Sequence, residues 1–255
     1  MNRNTARRRC VIITVLAALI LAGCGRSTSE VASSVRPETS VAVDDSTIAP
    51  GDGSAPVATV EFVAEVWADN WFALFANGVL VGEDSTAFKT ERSFNADTIV
   101  FRATYPLTIA LVARDYIEND SGLEYIGTSR QQMGDGGIIA QVTERTSGRL
   151  VTATGSTWRG MVVHRAPLDT GCVGAKNPAT ACRSEITVEP TGWTAAAFDD
   201  AGWWSAKTYT PQQVGTKDGY TTIRWNGAAV LVWSNDLKAD NTILLRAPTV
   251  SAAAR

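Results

Sequence analysis

The run from Glu61 to Gly82, EFVAEVWADNWFALFANGVLVG, constrains this chain more than any other stretch. Phe62, Ala64 and Val66 alternate with Glu61, Val63 and Glu65, the period of a half-buried strand. Asp69-Asn70 interrupts that strand, and a second apolar strand runs from Trp71 to Phe75. Asn77-Gly78 then sits between two β-prone flanks. The pair favours a type I′ turn, in which both central residues need φ > 0, so a tight antiparallel hairpin is predicted.

The remainder repeats the theme. Leu107 to Val112 is a continuous apolar run, which fits a strand buried on both faces between packed sheets. Ile138–Thr143 and Leu150–Thr154 predict a hairpin around Ser147-Gly148. Trp158–His164 predicts a further strand. Tyr220–Trp225 and Ala229–Trp233 predict a hairpin about Asn226-Gly227. Pro167 to Ser184 reads as loop. Turn signals every ~8–12 residues and no long amphipathic helical pattern give an all-β sandwich. The 255 residues, 45% hydrophobic, suffice for one sizeable core. A net charge of −3 with no basic face in the domain argues against a nucleic-acid partner.

The N-terminus has its own logic. Arg3, Arg7, Arg8 and Arg9 precede an apolar stretch, Val11–Leu21, shorter than the ~20 residues of a membrane span. It ends in Leu21-Ala22-Gly23-Cys24, which resembles the bacterial lipobox. That resemblance implies cleavage after a signal peptide at 1–23 and acylation (palmitate or similar) of Cys24. The mature chain would then be a lipoprotein of the cell envelope, facing outward and anchored in the bilayer through Cys24. An ordinary signal peptide with an incidental cysteine, or an uncleaved anchor, is the competing reading. Residues 24–56 contain Pro37, Pro50 and Pro56, no aromatic residue and no sustained period, and read as a flexible tether. The domain is expected at 57–247, with a tail at 248–255.

Within it, the pattern A-D-N-W-F-x-L-x-x-N-G-x-x-V-G at Ala68–Gly82 resembles the galactose-binding-like jelly-roll modules. The runs Ser156–Arg159, Gly192–Thr194, Phe198–Trp203 and Ala229–Ser234 follow in the order such modules show. The similarity spans roughly Val57–Ala247, about three quarters of the chain. It implies a jelly-roll sandwich and a non-catalytic module that binds glycan or a cell-surface polymer. Two alternatives remain: a protein-interaction or structural envelope module, and a lipid-anchored carbohydrate-active hydrolase.

Cys172 and Cys182 are the thiols left in the mature domain, and an oxidising compartment favours a disulfide between them. Two cysteines and the single His164 do not make a four-ligand zinc set. His164 lacks a nucleophile-elbow partner, so a Ser-His-Asp triad is not supported. No acidic pair stands in a recognisable catalytic motif. Asp199-Asp200 reads as a turn before Trp203. The loop from Asp115 to Tyr125 offers Asp115, Asp120 and Glu124 as weak calcium ligands, because hard cations take carboxylate and carbonyl oxygens. Asp135, between glycines, is weaker still. For glycan, the candidates are Asn70, Trp71, Trp158, Arg159, Trp203 and Trp204. The adjacent Trp203-Trp204 cannot both point inward on a strand, so one is expected at the surface.

Overall fold

Alternation does what the sequence leads one to expect in the first described strand. A computed structural model describes residues 58–88 and 94–252, all within one unit, Ser54–Arg255. The expected signal peptide at 1–23, Cys24 and the whole of the expected tether at 24–56 lie outside the described residues. In β1 (Thr59–Asp69), Phe62, Ala64, Val66 and Ala68 enter the main core, while Trp67 turns the other way into a separate cluster. At Asn70 the chain passes into β2 (Trp71–Ala76), which joins a different sheet from β1, and it then reverses into β3 (Val79–Glu83). That reversal is the predicted Asn77-Gly78 turn, with φ of 49° and 86°.

β4 (Phe94–Thr104) pairs with the whole of β1. β5 (Ile109–Arg114) is the continuous apolar run, buried almost throughout. β6 (Leu123–Glu124) and β7 (Gln132–Met133) form a small ribbon. β8 (Gly137–Glu144) and β9 (Leu150–Ala153) make the predicted hairpin at Ser147-Gly148. β10 (Arg159–Arg165) leads to the loop closed by the Cys172–Cys182 disulfide, Cα atoms 5.2 Å apart, which holds the four-residue helix α1 (Pro178–Ala181). β11 (Glu185–Ile186), β12 (Trp204–Ser205) and β13 (Lys207–Tyr209) are short. Helix α2 (Pro211–Val214) opens with a capping box between Thr210 and Gln213. β14 (Leu231–Trp233) and β15 (Asp240–Arg246) complete the set.

Two antiparallel sheets result. One runs β13-β14-β8-β1-β4, with β9 on β8. The other runs β11-β10-β15-β5-β2-β3, with β12 on β10. Their inward faces enclose a core of Phe62, Phe72, Leu74, Leu111, Trp158 and Trp233 among others. This is an all-β sandwich. Among the described residues no helix is long and apolar enough to cross a membrane.

The Asn226-Gly227 hairpin does not form. Tyr220–Thr222 is a 3₁₀ turn, and β14 pairs with β13 and β8 instead. The segment is drawn onto Trp67: that indole stacks edge-on against Tyr220 and donates to the Asp218 carbonyl, and the Asn226 amide donates to Gln141 Oε1. Beyond Ala247 the chain does not fall away as a tail at once, because Val250 bridges to Leu107.

Candidate cation site at one end of the sandwich

Strand ends converge at one end of the sandwich and bring acidic groups with them. Asp69 closes β1, Asp115 follows β5, and Asp135 precedes β8. Each offers a carboxylate oxygen, and these oxygens lie within 4.8 Å of one another. Asp69 and Asp115 are 1% and 0% exposed, and none of their four carboxylate oxygens accepts a hydrogen bond of normal geometry, the Tyr116 amide being the near neighbour of Asp115. Leaving buried carboxylates ionised and unpaired is costly, so the cluster either keeps protons or takes a cation. Lys217 reaches Asp135 at 3.5 Å on the solvent side. Glu124 is also buried and accepts from Gln132 Nε2 at 2.8 Å.

The neighbouring carbonyl and backbone fit the same purpose. Asn241 is fully buried; its Nδ2 donates to the Ala166 and Ala239 carbonyls, which leaves Oδ1 unpartnered. Gly134 lies against these atoms. A Cβ on it would stand 1.6 Å from Asp115 Oδ2 and 3.3 Å from Asn241 Oδ1, so only glycine lets the backbone approach. Burial raises the pKa of both Asp69 and Asp115 well above the usual carboxylate range. Asp135 then adds to the rise at Asp69, as Asp69 and Glu124 do at Asp115. Three carboxylates and an amide carbonyl form the hard, all-oxygen donor set that calcium prefers. Asp69, Asp115, Asp135 and Asn241 would hold it.

Asp115 and Glu124 were legible as candidates, and Asp135 as a lesser one. Asp120 stands apart: it is exposed and lies beside His164. Asp69 and Asn241 escaped the sequence reading because each looks like a strand terminus. The signal available was Asp69-Asn70 interrupting an apolar run that is otherwise buried.

The glycan candidates do not converge. Trp158 is 1% exposed, packs in the core and donates to the Ala153 carbonyl, so it has no face free for a ligand. Asn70 is buried, its Oδ1 accepting from the Tyr116 amide. Arg159 is exposed and reaches Ser205 Oγ. Trp203 and Trp204 do face opposite ways, but neither stands free. Trp204 packs on the main core; Trp203 packs on Trp193 and Phe198, outside the second sheet. The segment through Trp193 and Phe198 covers that part of the sheet's outer face, which is why the expected surface tryptophan is half-buried. Asp199 makes the anticipated turn by accepting from the Ala201 amide, while Asp200 pairs with Arg246 at 2.8 Å. Trp71 lies under the guanidinium of Arg114 at 5.0 Å, and Trp204 lines a pocket of about 270 Å³ with Val162, Arg165, Glu185 and Thr187, apart from Trp71. A comparison with known protein families, curated proteins and solved structures finds no match for the chain.

Proposed function

We propose that this chain is an exported lipoprotein, anchored through Cys24, whose β-sandwich is a calcium-stabilised, non-catalytic glycan-recognition module. The observation that carries the cation part is the pair of unpaired, fully buried carboxylates Asp69 and Asp115 beside Asp135. Export is supported by the lipobox-like N-terminus and by the disulfide of the domain, a bond at home in oxidising compartments. The recognition role rests on the resemblance to galactose-binding-like modules and on the sandwich fold.

Burial also weighs against hydrolysis at this cluster. A glycosidase needs two carboxylates flanking a scissile bond in a cleft that admits sugar. Asp69 and Asp115 are too deeply buried to flank a sugar.

The test is thermal unfolding of the full chain with EDTA or with calcium. An ion at a hundredfold above its Kd adds about 2.7 kcal/mol. For a domain of this size that raises Tm by roughly 5–10 °C. Equal Tm values with and without calcium would sink the cation reading. The glycan reading is tested separately, by an array of immobilised saccharides.

A further inference from the structure

Four consecutive pairings across the second sheet place Trp71, Arg114, Thr242, His164 and Ile186 in one transverse row. The next row, Ala73, Val112, Leu244 and Met161, lies under Trp193 and Trp203. The cover stops there. The polar row forms the floor of an open groove of about 320 Å³, within the size range of small-ligand sites.

His164 reaches this face because of a bulge. Val162 pairs with Ile243 and His164 with Thr242, so Val163 is the extra residue, and Val163 and His164 both line the groove. His164 is 6% exposed. The backbone and carboxylate of Asp120 lie beside its ring, yet neither ring nitrogen makes a hydrogen bond of normal geometry. A buried imidazole with no well-formed hydrogen bond, in the wall of a groove, is a group that a ligand would satisfy once the ring turns toward it. The Arg114 guanidinium sits over both Trp71 and Phe88, its central carbon 5.0 and 5.3 Å from the two ring centres, and these cation–π contacts restrain it. Asp120 and Glu189 supply acceptors at the rim, and Phe88, Ile117 and Ile186 supply apolar walls.

The geometry points to this groove as the binding site for a neutral saccharide. Hydroxyl groups both donate and accept, and they match a lining that mixes Arg114, His164, Thr242, Asp120 and Glu189. One cation against two carboxylates, with burial holding His164 neutral, disfavours an acidic sugar. The apolar walls take the C–H faces. The cation site stands directly behind: Arg114 precedes Asp115 and Asn241 precedes Thr242, so an ion that fixes one face of these strand ends fixes the other. This assignment rests on the glycan-recognition reading above.

The experiment uses the full chain with calcium, on an array of neutral hexose, N-acetylhexosamine and uronic-acid oligosaccharides. Wild type is compared with Arg114→Gln, His164→Gln, Asp120→Asn and, as a control away from the groove, Arg159→Gln. Binding of a neutral saccharide that weakens about tenfold in the first two variants and is unchanged in Arg159→Gln supports the site. Asp120 is exposed, so Asp120→Asn keeps the fold and must also weaken binding if the buried His164 variant unfolds. A bound neutral saccharide indifferent to all groove changes overturns the groove and leaves the glycan reading standing. Binding of uronic-acid chains alone overturns the neutral class. No binding by wild type to any saccharide overturns both the groove and the glycan reading.

Discussion

At the residue scale, protons and a cation compete for the same buried oxygens. The folded-state pKa values of Asp69 and Asp115 are raised by burial, whereas in the unfolded chain they sit near 4. The cation-free fold therefore holds protons that the unfolded chain has released. Its stability is full below about pH 4 and falls as pH rises through the folded values. Asp84, pushed up to about 6 chiefly by burial, adds the same sign; His164, pushed down by burial, adds the opposite. With EDTA the chain should thus melt lower at pH 8 than at pH 5, and the gain from calcium should be larger at pH 8. Asp115→Asn should flatten this dependence and remove the calcium effect. Gly134→Ala should remove the calcium effect too, because its Cβ would stand 1.6 Å from Asp115 Oδ2. Melting curves at the two pH values check all three. A calcium response that survives Gly134→Ala would mean that the ion sits elsewhere.

At the element scale, local rules read well and long-range partners did not. Asn77-Gly78 and Ser147-Gly148 announced their hairpins because the turn itself requires positive φ, which is a local property. Asn226-Gly227 carries a similar dipeptide and failed, because Trp67 and Gln141, far away in sequence, hold the segment that contains it. Burial of Leu107–Val112 was legible from composition, and the face of each strand from alternation. The cation cluster was legible only in part, since Asp69 ends β1 in one sheet and Asn241 lies on β15 beside β5 in the other, and no spacing encodes how the two sheets bring them together. Asn77 shows a turn residue with a second role. Its Nδ2 donates to the Thr104 carbonyl and its Oδ1 accepts from the Thr108 amide, at 2.9 and 2.8 Å, so the hairpin is fastened to the β4–β5 connection. Asn77→Ala loses both bonds and leaves the Thr108 amide unsatisfied. The expected cost is about 1–3 kcal/mol in urea unfolding. Asn77→Asp keeps the acceptor alone and should fall between the two. A cost within ±0.5 kcal/mol for Asn77→Ala would show that water replaces both bonds.

At the scale of the whole molecule, the sandwich and the N-terminal sequence make separable demands. Among the described residues, which begin at 58, the domain assembles a core, a disulfide and a cation site. Its folding should therefore be indifferent to Cys24, whereas its location should depend on it. Acyl chains contribute roughly 0.8 kcal/mol per buried CH₂, and two such chains hold a protein on a bilayer where one gives only marginal, reversible binding. Cys24→Ala in the full chain should leave the calcium-dependent Tm of the domain unchanged and shift the protein from the membrane fraction to the soluble fraction. Detergent partitioning of the two forms, followed by intact mass, separates the possible outcomes. A wild-type chain without added lipid mass at Cys24, or a Cys24→Ala chain that stays with the membrane, would leave the apolar stretch at 11–21 as the anchor. On the proposed function, residues 24–56 would set the distance of the groove from the bilayer. A flexible coil of those 33 residues, Cys24 to Pro56, would reach on the order of 30 Å, so shortening 24–56 should reduce capture of immobilised saccharide by whole cells while leaving the affinity of the purified chain intact.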